Sequence, residues 1–463
     1  MIKRLGLYAS VSAIILLSTP CTKAADISIE QIQAQLSALS AEVKSLSKTV
    51  KQQNERIKQK EAELNVYKLN STDSVTNIQS TKNNGLGNVK ITMKPSPRIE
   101  SQDGKFSFQP FGRVHLDATH FNDDKFDHSS NANFRRARLG FKGKLGDDFN
   151  YKSEMGFGGE KANFKDIFLS YTGFENIDIK VGHQKPSFGM EQNTSSNYIM
   201  MIERSSPTNA FTRDHEIGLN VLAGGDSWSF GVGVFNEDGG NTGTDDDEDI
   251  TYDLRGSVNL LALGDSENVL HLGAGYSHRE PTGSVRFRAR PGAGDGSHLV
   301  DTGNITFVKN VSVYSAELAV IYGPFSLQSE YFNANVSRNE GNKSANFEGY
   351  YGQIGYLLTG ERRPYKGITG NFGRVKPHSS FSPHNGDWGA WEILTRYDST
   401  DLNDALSGIM GGKMETLSFG VNWYLTNHVR FMANVVNADS DLNVATVAND
   451  DPTVYNFRLQ WDF

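Results

Sequence analysis

The chain has 463 residues, 37% of them hydrophobic and 11% aromatic, with 46 glycines and a formal net charge of -8. An acidic balance of this size excludes a general nucleic-acid binder and makes any basic cluster a local device. Beyond the N-terminus no stretch approaches the roughly eighteen consecutive apolar residues a spanning helix needs, and the aromatic and glycine content suits β-structure.

Residues 1–24, MIKRLGLYASVSAIILLSTPCTKA, carry Lys3 and Arg4, then an apolar core from Leu5 to Leu17, then small residues at Thr22 and Ala24. This is the pattern of a secretory signal removed after Ala24. The only cysteine, Cys21, lies inside it after Ser18, Thr19 and Pro20, a poor lipidation context. The exported chain therefore has no disulfide scaffold, and its stability has to come from backbone pairing and packing.

Over 25–69 apolar residues keep a seven-residue beat, with Ile29, Leu36, Val43, Val50, Ile57 and Leu64 at one seam position and Ile32, Leu39 and Leu46 at the other. The beat predicts a coiled coil on the periplasmic side. Gln53 and Lys60 weaken its far end, and the mix of β-branched residues and leucine does not decide between two and three chains. The plainer alternative is an amphipathic helix packed on a neighbouring surface. Residues 70–103, rich in Asn, Ser, Thr, Lys and Gly, read as a flexible linker.

From 104 to 463 two-residue alternation takes over, in segments of about ten residues bounded by Gly, Asn and Asp. Candidate strands begin near 105, 133, 148, 164, 176, 215, 227, 250, 269, 312, 325, 347, 388, 414, 428 and 453, which makes sixteen. In the last, Tyr455, Phe457, Leu459, Trp461 and Phe463 share one face, with Asn456, Arg458, Gln460 and Asp462 on the other. Aromatics at both ends of the apolar face suggest interfacial girdles around a lipid band. Short links such as 145–148, 223–226, 323–324 and 426–427 alternate with long ones at 185–214, 237–249, 280–311 and 439–452, the asymmetry of outer-membrane barrels. One long link, 360–387, falls on the short side. Strands that cross lipid must close to satisfy their edges, so the expected fold is an all-β, sixteen-stranded transmembrane antiparallel barrel with an aqueous lumen. The chain stops on its last strand at Phe463, where barrel-assembly machinery would engage it.

In FRRARLGFKGK, residues 134–144, Ala137, Leu139 and Phe141 lie on one face while Arg136, Arg138, Lys142 and Lys144 lie on the other. A cation facing lipid at the midplane would cost about 2–4 kcal/mol, so these cations point into the lumen. Arg135 falls on the opposite parity and is expected at the loop end. In SVRFRAR, residues 284–290, Arg286, Arg288 and Arg290 alternate over about 13 Å of extended chain, and a loop folded back into the mouth would string them along the passage. The competing reading is a solvated loop. The link 185–214 would form a constriction and mixes Lys185, Arg204 and Arg213 with Glu191, Glu203 and Asp214. The acidic run 245–249 reads as a solvated outside loop.

FRRARLGFKG, FLSYTGF at 168–174, FGMEQNTSS at 188–196, VRFRARPG at 285–292, YLLTGERRPYK at 356–366, FGVNWYL at 419–425 and the terminal RLQWDF together resemble the phosphate-selective porin O and P family of bacterial outer membranes. The resemblance implies a trimeric porin whose inturned loop carries an arginine ladder, matched by Arg286, Arg288 and Arg290, leading to a site whose arginine pair is matched by Arg135 and Arg136. It also exposes two departures. A lysine expected after Phe-Gly-x-Glu is Gln192, and an acidic residue expected before Tyr-Thr-Gly is Lys165, with Asp166 beside it.

The expected function is passive diffusion of anions, phosphate or polyphosphate foremost, with a general diffusion pore of little anion selectivity as the alternative. Neither cofactor nor metal is expected. His115, Asp117 and His120 offer no evident third ligand, and the Gly-Asp-Ser triplets at 225–227 and 264–266 fall in short turns, away from any nucleophile elbow. A tether, with the stalk on the cell wall and an inert barrel as anchor, would leave the lumen cations without a purpose. The partners implied are inorganic anions, outer-membrane lipids, two further copies of the chain and cell-wall contact of the stalk.

Overall fold

The computed structural model describes residues 89–463 apart from 94, 159–161, 237–249, 263–266, 295 and 442–448, together with Lys44, Lys48, Lys51 and Glu55 near the N-terminus. Those four positions are helical and exposed. The signal sequence, the rest of the heptad segment and the acidic run 245–249 lie outside the described residues. Leu86–Phe463 forms one compact unit and Met1–Gly85 another.

The larger unit holds sixteen long antiparallel strands among the described residues: β1 (Ser107–Asn122), β2 (Asn131–Leu145), β3 (Phe149–Gly156), β4 (Asn163–Tyr171), β5 (Ile177–Gln184), β6 (Glu216–Gly224), β7 (Trp228–Asn236), β8 (Ile250–Asn259), β9 (Val269–Arg279), β10 (Val308–Tyr322), β11 (Phe325–Arg338), β12 (Ala345–Leu357), β13 (Ala390–Asp404), β14 (Ile409–Tyr424), β15 (Val429–Asp441) and β16 (Thr453–Asp462). Each pairs with its sequence neighbours, and β16 returns to β1 with Thr453 opposite Asn122 and Asp462 opposite Arg113. The sheet closes, so its long ladder has no open edge. Phe463 and Gly112 exchange both backbone hydrogen bonds at 3.1 Å, sealing the inner end of the seam.

Strict alternation carries the inside-outside logic. Along β12 the even-numbered residues Asn346 to Tyr356 are exposed, while odd-numbered residues from Ala345 to Leu357 are buried. The outward face carries Leu139, Phe141, Val181, Leu219, Phe230, Val232, Leu417, Phe419, Phe457 and Leu459, all exposed, as a lipid-facing wall requires. The wall is uneven. Strands β3 to β7 have eight or nine residues, whereas β10 to β15 have thirteen to sixteen. All five tryptophans stand at the end of the short turns: Trp228 starts β7, Trp388 and Trp391 flank the start of β13, and Trp423 and Trp461 close β14 and β16. Trp391 stacks on Trp423 at 4.9 Å, and the Trp423 indole N–H donates to the Trp388 carbonyl at 2.7 Å.

The expected linker over 70–103 needs correction at its C-terminal end. Val89–Met93 and Pro97–Ser101 form a hairpin that pairs with β1 through Ile99 opposite Phe108. Period-2 alternation was present there in VKITM, hidden by the polar composition around it. Ile91, Ile99 and Phe108 share the outer face, and Arg98 and Glu100 bond to each other at 2.9 Å on the other, so the hairpin continues the wall downward.

Candidate functional site: a basic lumen crossed by three inturned segments

The lumen holds a cavity of about 660 Å³, the passage, whose lining includes eleven lysines and arginines against four carboxylates among the described residues. Two β-bulges set much of this chemistry. Between β1 and β2 the register slips so that His115 faces Arg136 and Leu116 faces Phe134. The extra residue is Arg135, which the bulge turns inward beside Arg136. This corrects the loop-end expectation, which assumed unbroken alternation. A second slip, between β3 and β4, sends both Lys165 and Asp166 into the lumen. Lys165 then pairs with Asp214 at 3.0 Å, and Asp166 pairs with Lys152 and, at 3.4 Å, with His215.

The link 185–214, expected to form a constriction, folds inward around two short helices, α1 (Met190–Asn193) and α2 (Ser206–Phe211). The wall holds this segment through Glu330, which accepts the backbone N–H groups of Met190 at 2.6 Å and Glu191 at 2.9 Å. Arg204 is structural: its guanidinium donates to the carbonyls of Glu191, Gln192 and Thr194 at 2.9–3.2 Å. Lys185 donates to the Gln192 carbonyl at 2.7 Å, and burial followed by the Arg204 charge presses its ammonium well below the ordinary lysine range. The Gln192 amide donates to the Arg213 carbonyl at 2.5 Å, and both Lys185 and Gln192 line the passage. Arg213 does not reach that passage. It pairs with Glu216 and Asp253 and lines an outer recess of about 190 Å³ together with Arg286 and Arg288.

Glu203 is the residue the sequence reading underrated. It is 4% exposed, and its carboxylate takes both fork nitrogens of Arg135, at 3.0 and 3.1 Å, plus Arg136 at 3.2 Å and Arg458 at 2.8 Å. Arg458 is held from its other side by Asp117 at 2.6 and 2.7 Å. Burial would raise the Glu203 carboxyl, but the three arginines outweigh it and keep it well below the usual carboxylate range. Partners 67 to 255 positions away leave no sequence signature. Next along the wall, Arg113 and Arg138 meet Glu154 at 3.0 and 3.8 Å, and Lys142 stands over the Phe111 ring at 5.5 Å.

The segment 280–307 also turns inward. Val285, Phe287 and Ala289 are buried in one apolar cluster with Phe211, Phe332 and Phe347 of the loop and wall, which leaves Arg286 and Arg288 exposed on the opposite side. Arg286 takes a fork contact with Asp301, at 2.7 and 2.5 Å, and Arg290 donates to the Gly296 carbonyl at 2.9 Å. Further along the segment, a Cβ on Gly294 would stand 2.4 Å from Arg135 Nε. The arginine-bearing loop therefore passes in contact with Arg135 at its midpoint.

From the short-turn side, residues 358–389 fold up into the barrel. Arg255 on β8 donates to the carbonyls of Thr369 and Gly370 at 2.9 and 2.7 Å, and Asn371 reaches the Asn193 carbonyl of the constriction at 3.2 Å. Arg374 and Lys366 stand over Tyr198 at 5.1 and 5.4 Å. The His115, Asp117, His120 trio does not converge: His115 bonds Asn197 at 3.0 Å, Asp117 holds Arg458, and His120 stacks on outward-facing Tyr455 at 6.1 Å.

A family model for phosphate-selective porin O and P matches residues 108–463, the whole barrel. The chain belongs to that family. It is 28% identical to Porin O of Pseudomonas aeruginosa over 416 residues, covering 81% of this chain and 92% of the relative. It is 29% identical to an uncharacterized protein of Caulobacter vibrioides over 362 residues, covering 75% and 71%. Among solved structures, outer-membrane expressed OmpT of Vibrio cholerae aligns with a TM-score of 0.50 at 11% identity, over 78% of this chain and 98% of the other, a likeness of fold alone. The protein is thus an outer-membrane porin of this family, and family and barrel together point to a channel rather than an enzyme. Of the two Gly-Asp-Ser triplets, 225–227 forms the porin's β6–β7 turn and 264–266 includes no described residue.

Proposed function

We propose that this porin passes small inorganic anions, phosphate foremost, down an electrostatic gradient set by its lumen. The observation that carries this reading is the excess of cations along the passage, eleven against four carboxylates. In a narrow space with low-dielectric walls such an excess raises the local concentration of anions and repels cations. Arg286, Arg288 and Arg290 would collect anions at the outer mouth, Arg135, Arg136 and Arg138 would serve mid-channel with Lys165 and Lys185, and Lys142 would serve the inner vestibule. Several moderate sites release an ion more readily than one deep one. The description of the family supports phosphate as the preferred solute.

A general diffusion pore is the second reading, and a specific observation favours it: Glu154, Asp166, Glu203 and Asp214 each neutralise cations that line the passage. Assembly as a trimer, three heptad stalks joined in the periplasm and touching the cell wall, and capture of Phe463 by the assembly machinery complete the proposal.

The deciding measurement is the reversal potential in a planar bilayer under a KCl gradient, for wild type and for Arg286, Arg288 and Arg290 replaced together by Ala. Chloride preference that falls in the triple variant, with phosphate blocking wild type more strongly, is the expected result. A cation-selective or indifferent wild type overturns the anion reading.

A further inference from the structure

We propose that Glu203 is a tethered competitor anion, a carboxylate seated between Arg135 and Arg136 where a permeating oxyanion would bind, so that it sets how weakly the channel holds its solute. The inference rests on the anion-channel reading and deepens it.

The geometry of the contact carries the argument. A guanidinium fork gripping two oxygens of one anion is the arrangement that Arg offers to carboxylate and phosphate alike, and Glu203 already fills it on Arg135. The grip is uneven. Arg458 is fully buried, with Asp117 on its other side, and Arg136 is 7% exposed, whereas the Arg135 side chain is 33% exposed. Arg136 and Arg458 thus anchor Oε1 from the wall, while Oε2 is held from the lumen side by the partly exposed Arg135. Arg135 is also the arginine against which Gly294, in the loop that bears Arg286, Arg288 and Arg290, makes its contact. An anion arriving along that loop meets Arg135 first and takes it from Glu203, which stays on Arg136 and Arg458. Departure reverses the exchange. Each transit swaps one oxyanion for another on the same guanidinium and never leaves that cation bare, so neither binding nor release meets a deep well.

The test is phosphate block of chloride current through the full-length channel, in wild type, Glu203→Gln and Glu203→Asp. Glu203→Gln removes the competitor and is expected to tighten half-block by about ten-fold or more, the difference between a contested and a vacant bidentate site. Glu203→Asp keeps the charge but falls one methylene short of spanning Arg135 and Arg458, so it is expected to tighten block by less. It carries the test should the Gln variant fail to assemble. Adding Arg135→Ser to either variant is expected to abolish the gain. Unchanged or weaker block in both variants, in a wild type that is anion-selective and blocked by phosphate, overturns the inference and makes Glu203 a loop anchor only. A wild type with no anion preference overturns the channel reading beneath it, so the two failures are separable.

Discussion

His298 shows how a single side chain can report on the lumen. It lies in the 280–307 segment, outside the spanning strands, and its pKa falls to about 4 through burial first and then the charges of Arg290 and Arg288. The imidazole is thus neutral in the folded channel at physiological pH. Its folded pKa lies below the ordinary value of 6.5, so the contribution to stability is complete above about 6.5 and is lost as pH falls toward about 4. On the proposed anion reading, an anion resting on Arg288 or Arg290 would screen the repulsion. Phosphate, or replacement of both arginines by Ala, should raise the pKa of His298 in a carbon-13 NMR titration, and an unmoved pKa under phosphate would show that the row does not hold anions. Individual residues were legible in the sequence only where alternation was unbroken. Arg136, Arg138 and Lys142 point as their parity demands, whereas Arg135 is itself the extra residue of a bulge that has no local signature. Glu203 was visible only as one acid in a mixed loop, because its meaning comes from three arginines on two distant strands.

At the scale of elements, three segments share the lumen, and the one from the short-turn side offers the sharpest test. Gly370 has φ of 58°, in the left-handed region, and a Cβ there would lie 2.4 Å from Ser257 Oγ. Gly370→Val should cost about 1–3 kcal/mol locally through strain alone, and should loosen the segment from the Arg255 donors that hold its carbonyls. We expect higher single-channel conductance and faster proteolysis within 358–389, with the barrel intact. Equal conductance would mean that the segment does not limit flow. The sixteen strands were readable because each is a period-2 run ended by turn residues, and the inturned link 185–214 because it was too long for a turn. That 358–389 turns inward was not readable: its anchors are backbone carbonyls, a left-handed glycine and ion pairs of Arg363 with Glu392 and Arg374 with Asp462, none of which leaves a local pattern. The hairpin before β1 was missed for the opposite reason, since a short true alternation sat inside a stretch whose overall composition read as linker.

At the scale of the whole molecule, closure and unevenness matter together. A closed sheet turns the strand count into an architecture, and the alternation of short and long links in the sequence gives that architecture a direction. The placement of the five tryptophans adds a built-in depth gauge. Since every indole stands at the short-turn end, a barrel that inserts with its long loops leading keeps all of its indoles at the face it entered from. During assembly into vesicles, a quencher carried at the bilayer centre should leave the intrinsic emission nearly untouched from first contact to the finished channel. One carried near the glycerol backbone of the entry leaflet should dim it early and for good. A transient loss of light to the central quencher would mean that the short-turn end crosses the membrane, reversing the orientation that link lengths assign. The porin thus carries, in the positions of one residue type, a record of the side from which it arrived.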